Sequence, residues 1–171
     1  MGLPNALPFP LGSTATQVDA GLVGSKFKTA SGETVRLCKT ATALTTPGKK
    51  IALYTITGGE ASYAKTTVAD EVSAENVAGV IDPDLSDSVA ASGYFWVYCG
   101  AGDEVDVIGA AALAAGLLVG TTTTGGGGRV ASIGAAATAI TAAKMLGAFA
   151  VTIGTFTAAA DEQKVRLLGP C

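Results

Sequence analysis

The stretch that decides the fold is Tyr94-Phe-Trp-Val-Tyr-Cys-Gly-Ala-Gly-Asp-Glu-Val-Asp-Val-Ile108. Its second half alternates: Val105 and Val107 share one side of an extended chain, while Glu104 and Asp106 share the other. That period of two marks a half-buried strand. Its first half, Tyr94 to Tyr98, is apolar or aromatic on both sides, which predicts a central strand, or one whose outer face meets another subunit. Between them, Gly100-Ala-Gly102 supplies a turn.

Working outward, short runs of the same character recur along the chain. They are Thr34–Lys39, Lys50–Thr57, Asn76–Ile81, Leu117–Thr121, Arg129–Ile133, Leu146–Ile153 and Lys164–Leu168. Pro47-Gly48, Gly58-Gly59, Asp82-Pro83-Asp84, Ser92-Gly93 and the Gly125–Gly128 run punctuate them. Many short strands joined by turns predict an all-β chain with at most one or two short helices, as a β-sandwich or small β-barrel. The helical candidates are Val68–Asn76, with Asp70 as a cap, and the Ala-rich stretch Ala135–Ala143. Residues 1–30 are rich in Pro, Gly, Ser and Thr and read as an extended N-terminal arm, leaving 31–171 as a single β-rich domain.

Composition narrows the function. The mean hydropathy is +0.45, but aromatic residues are only 6% of the 171, so the apolar character comes from Ala, Val and Leu. The charge-free stretch Val107–Gly128 ends in Thr and Gly, and its apolar part falls short of the ~20 residues a membrane helix needs. No membrane partner is expected. The net charge of −3 and eleven scattered Lys and Arg residues leave no basic stripe for nucleic acid. The N-terminus lacks the basic and continuous apolar regions of an export signal. Cys38, Cys99 and Cys171 stand far apart with no C-x-x-C pair, which predicts reduced thiols in a cytosol and no metal site. Histidine is absent, removing the commonest general base and metal ligand. No cofactor and no enzymatic activity are expected.

Each motif has a plainer structural reading. Gly120 and Gly125 have P-loop spacing, but the Lys and Ser or Thr that must follow are replaced by Gly126 and Gly127. Ser62-Tyr-Ala-Lys65 matches S-x-x-K, which requires serine and lysine one helical turn apart, and its companion motifs are missing. Asp82, Asp84 and Asp87 crowd one turn, read as a solvated acidic turn because the glycine and glutamate of a calcium loop are out of place. Asp103, Glu104 and Asp106 form a second acidic group on an exposed strand face. The aromatic residues Tyr94, Phe95, Trp96 and Tyr98 are read first as core and second as subunit contact.

Taken together, Tyr94–Asp103, Glu104–Val119, Lys144–Gly154 and Lys164–Pro170 resemble the small capsid decoration (cement) proteins of tailed bacteriophages, over residues 33–170. The resemblance implies a β-rich structural protein of the virion that bridges major capsid protein subunits from the capsid exterior. It further implies a homotrimer, made in the bacterial host cytoplasm, with an arm laid across a neighbour. The candidate interface residues are Leu3, Pro4, Leu7, Pro8, Phe9 and Pro10 of the arm and Tyr94, Trp96 and Tyr98 of the aromatic strand. A head fibre, a tail part or a β-rich surface-adhesion domain is the alternative reading.

Overall fold

The computed structural model describes residues 6–68, 76–122, 128–132 and 149–169. They form eleven strands and a one-turn 3-10 helix, Ala20–Leu22. The strands are β1 (Lys26–Lys28), β2 (Thr34–Lys39), β3 (Ile51–Thr57), β4 (Glu60–Val68), β5 (Val77–Ile81), β6 (Tyr94–Tyr98), β7 (Glu104–Ile108), β8 (Leu118–Thr122), β9 (Arg129–Ser132), β10 (Ala150–Thr152) and β11 (Glu162–Leu167). The all-β expectation holds. Val68 ends β4 rather than starting a helix and Asn76 lies in a turn before β5, while the rest of that helical candidate, 69–75, like 135–143, lies outside the described residues.

Two antiparallel sheets result, of order β1-β2-β6-β5-β3-β4 and β7-β11-β10-β8-β9. Single-residue bridges join Thr40, just past β2, to Thr66 of the edge strand β4, and Gly109, just past the edge strand β7, to Val130 of the opposite edge strand β9, without closing a barrel. The β3–β4 hairpin turns through Gly58 and Gly59, at φ of +63° and +84°. Two successive residues in that region make the tight turn whose twist matches the paired strands.

Alternation explains how the sheets meet. Val105 and Val107 on β7, Val119 on β8, Val130 on β9, Ala150 on β10 and Val165 and Leu167 on β11 all point inward. They pack against Ile51 and Leu53 of β3 and Val77 and Val80 of β5. Phe149 and Phe156 fill the remaining space. The opposite face of the first sheet, carrying Cys38, Ala52, Ala78, Ile81, Phe95 and Val97, is covered by loop residues Leu44, Leu85 and Val89. Leu44 and Val89 exchange backbone hydrogen bonds of 2.9 Å in both directions. Glu104 stays outside and pairs with Arg166 at 2.6 Å, and Lys49 pairs with Glu162.

The ladder between β3 and β5 shifts register at Ala52/Leu53. Gly79 lies there at φ +136°, and a side chain on it would put Cβ 2.1 Å from the Tyr98 carbonyl oxygen. Only glycine lets β5 bend this closely onto β6.

Candidate functional site

β6 is the interior strand the sequence predicts, and its two faces meet different covers. Phe95 and Val97 enter the core beneath the loops. Tyr94, Trp96 and Tyr98 point the other way, beside Val35 and Leu37 of β2. Sheet-on-sheet packing reaches this face only as far as Tyr98. The chain's own N-terminal segment covers the rest, through Leu7, Phe9, Leu11, Ala15, Val18, Leu22, Val23 and Phe27.

This segment is a strap pinned at several points. The Phe9 ring lies 4.9 Å from the Trp96 ring, and Phe27 meets the same ring edge-on at 5.3 Å. The Trp96 indole N–H donates to the Phe9 carbonyl at 3.2 Å. Gly12 N–H donates to Asp82 Oδ2 at 2.7 Å. Ala15 and Tyr94 exchange backbone hydrogen bonds of 3.1 and 2.8 Å. At its far end, Gly24 N–H donates to the Leu37 carbonyl at 2.7 Å and the Ser25 carbonyl accepts from Leu37 N–H at 3.1 Å.

The strap changes the standing of the interface residues. Leu3 and Pro4 lie outside the described residues. Leu7 and Phe9 are half-buried against this chain's own aromatic strand. Tyr94 and Trp96 are buried, with exposures of 6% and 0%, and Tyr98 is half-buried. The folded chain therefore spends the aromatic strand on its own core, and Pro8 and Pro10 remain exposed on the outside of the strap. The strap was not legible because its apolar residues are spaced irregularly among prolines and glycines.

The acidic turn is also different from its expected reading. Asp82 is 1% exposed rather than solvated. Its carboxylate accepts from Gly12 N–H and, at 3.1 Å, from Asp84 N–H. Burial pushes its pKa up, against those two hydrogen bonds. A carboxylate is placed here because the strap crosses the sheet with a backbone N–H that needs an acceptor. Asp84 and Asp87 are exposed. In the second acidic group, Asp103 Oδ2 accepts from Thr34 N–H at 2.8 Å and Glu104 is held by Arg166. Among the described residues no group of His, Cys, Asp and Glu is arranged to hold a metal ion.

Ser62 and Lys65 stand in strand β4, so the helical turn that would bring them together does not form. The cysteines divide. Cys38 is a free, buried thiol, whose pKa burial pushes up to about 12. Cys99 is disulfide-bonded, which corrects the reading of all three as reduced: bridging depends on closeness in space, not on sequence spacing. Gly128 is described and accepts the Ile51 N–H at 2.8 Å, while the remainder of the Gly125–Gly128 run lies outside the described residues. No described helix is long and apolar enough to cross a membrane.

No protein-family model matches the chain, and no curated protein matches it. Among solved structures it is similar to the head fiber gp8.5 N base of bacteriophage phi29, with 10% sequence identity and a TM-score of 0.48, covering 78% of this chain and 92% of that one. The likeness is a loose one of shape.

Proposed function

We propose that this chain is a structural virion protein of a tailed phage that binds the outer surface of the capsid and stabilises the shell by bridging major capsid protein subunits. The observation that carries the proposal is that three carboxylates of the two acidic groups serve the chain's own architecture. Asp82 anchors the strap, Asp103 caps the start of β2, and Glu104 is tied to Arg166 across the β7–β11 ladder. A rigid β-module with broad outer faces suits cementing, where many copies each contribute modest contacts and symmetry supplies avidity. The pattern resemblance to decoration proteins adds to this reading. In it, residues 1–30 are the arm and 31–171 the module, the module assembles as a homotrimer, and the exposed Pro8 and Pro10 are the arm residues left for the shell. A head fibre or tail part would draw on the same rigidity and differ in copy number.

The test is to add the purified chain to capsids that lack it and sediment the mixture. Co-sedimentation at saturating, repeatable stoichiometry, with a higher temperature of capsid disruption, is the expected result. A chain that stays in the supernatant at every concentration contradicts the proposal.

A further inference from the structure

Arg36 stands in the middle of β2, 4% exposed, on the face that carries Cys38. The Tyr63 ring lies against its guanidinium, with Cζ 4.1 Å from the ring centroid. That contact engages the flat face of the cation only. Among the described residues, buried Nε and Nη1 have no hydrogen-bond acceptor. A guanidinium cannot shed its proton in a protein, so the charge persists. The described ion pairs, Lys49 with Glu162 and Arg166 with Glu104, lie elsewhere. Lys26 is the cross-strand partner of Arg36 and adds a second positive charge on the same face.

The cover over Arg36 is an irregular part of its sheet. β4 pairs with β3 at Thr67 and again at Ser62, opposite Leu53 and Thr55, so Tyr63–Thr66 face only Tyr54 across the ladder. These residues bulge toward β2, where Thr66 bridges Thr40. Thr66 Oγ1 donates to the Tyr63 carbonyl at 2.9 Å, and Thr55 Oγ1 donates to the Lys65 carbonyl at 2.7 Å. The Tyr63 ring rests on the backbone of Gly24, where an added Cβ would come within 3.0 Å of Cδ2. β4 is an edge strand of its sheet, so an outward swing of the bulge breaks few ladder bonds.

We infer that Arg36 is an oxyanion-receiving site closed by the Tyr63–Thr66 bulge. When the bulge swings out, the guanidinium takes a carboxylate or an inorganic oxyanion, whose paired oxygens match its fork of N–H donors. The unpaired charge raises the energy of the closed state, and the anion removes that penalty only in the open one. This difference in affinity shifts the population toward opening. The oxyanion has two sources, a free ion or an acidic side chain of another protein. The inference does not depend on the capsid reading.

Thermal unfolding and hydrogen exchange of the full chain test it, for wild type and Arg36→Met, in sodium chloride, in sodium sulfate at matched ionic strength, and with a hexaglutamate peptide. Sulfate stabilises proteins generally, so the comparison is the excess shift of wild type over Arg36→Met. An excess of about 2–4 °C, with changed exchange at amides 62–67, is expected. Excess with sulfate shows that a free oxyanion suffices; excess with the peptide alone assigns the site to an acidic chain. Equal shifts in both proteins with both probes overturn the inference. Should Arg36→Met fail to fold, wild-type exchange decides: a change at 62–67 on adding either probe supports the site, and none with either overturns it.

Discussion

The Trp96 indole N–H donates to the carbonyl of Phe9, 87 positions earlier in the chain, while the two rings lie 4.9 Å apart. One residue of the strap thus offers both a polar and an apolar partner to the chain's single tryptophan. Phe9→Ala removes the ring and keeps the carbonyl. It is expected to cost about 1–3 kcal/mol, below the range for a fully buried phenylalanine because Phe9 is only half-buried. Tryptophan emission should move to longer wavelength in the native state. An unshifted emission with unchanged Tm would show that the strap does not cover Trp96 in solution.

Glycines at positive φ differ in what surrounds them. Gly79→Ala meets the Tyr98 carbonyl at 2.1 Å, whereas Gly102 at φ +87° has nothing within 4 Å of an added Cβ. Gly102→Ala is expected to cost about 1–2 kcal/mol for the backbone conformation alone. Gly79→Ala should cost at least about 3 kcal/mol or prevent folding, because the backbone must also move. Denaturant unfolding of the pair checks this, and equal losses would contradict the β5–β6 geometry.

Asp82 sets a pH dependence of defined sign. Its pKa in the folded chain is raised above 3.8 by burial, so between 3.8 and that raised value the folded state holds more proton than the unfolded one. Stability conferred through Asp82 therefore grows as pH falls through this window. Glu33 and Asp161 act oppositely. Hydrogen bonds, from Ser31 and Thr29 to Glu33 and from the Thr157 backbone to Asp161, lower their pKa values, and their contribution is lost on acidification. Subtracting the Asp82→Asn stability curve from the wild-type curve isolates Asp82. The difference should rise in favour of wild type as the pH falls toward 3.8; a flat or falling difference refutes the assignment.

Cys38 should resist alkylation in the native chain at pH 8, since burial holds the thiol near 12, far from its reactive thiolate form. Peptide mapping after native and denatured labelling reads this directly. Rapid native labelling of Cys38 would mean that the Thr40–Thr66 side of the sheet opens readily.

The strands were legible where apolar residues keep a strict period. β2 and β7 coincide with the runs read from sequence, because Val35 and Leu37, and Val105 and Val107, each share one face. β4 was missed because the bulge at Tyr63–Thr66 breaks its period, and β1 because three residues carry no pattern. The aromatic strand was rightly central, but nothing local to Tyr94–Tyr98 tells which part of the chain covers its second face. Burial of Asp82 and Arg36 was equally hidden. Each depends on a partner segment distant in sequence: Gly12 for the aspartate and Tyr63 for the arginine.

The central claim, a structural role on the capsid exterior, is tested most directly by quantitative mass spectrometry of density-purified particles from the producing cells, counting this chain against the major capsid protein. The account predicts a fixed ratio approaching one copy per capsid subunit. Absence from purified particles would contradict it, and a handful of copies per particle would move the chain to a fibre or tail.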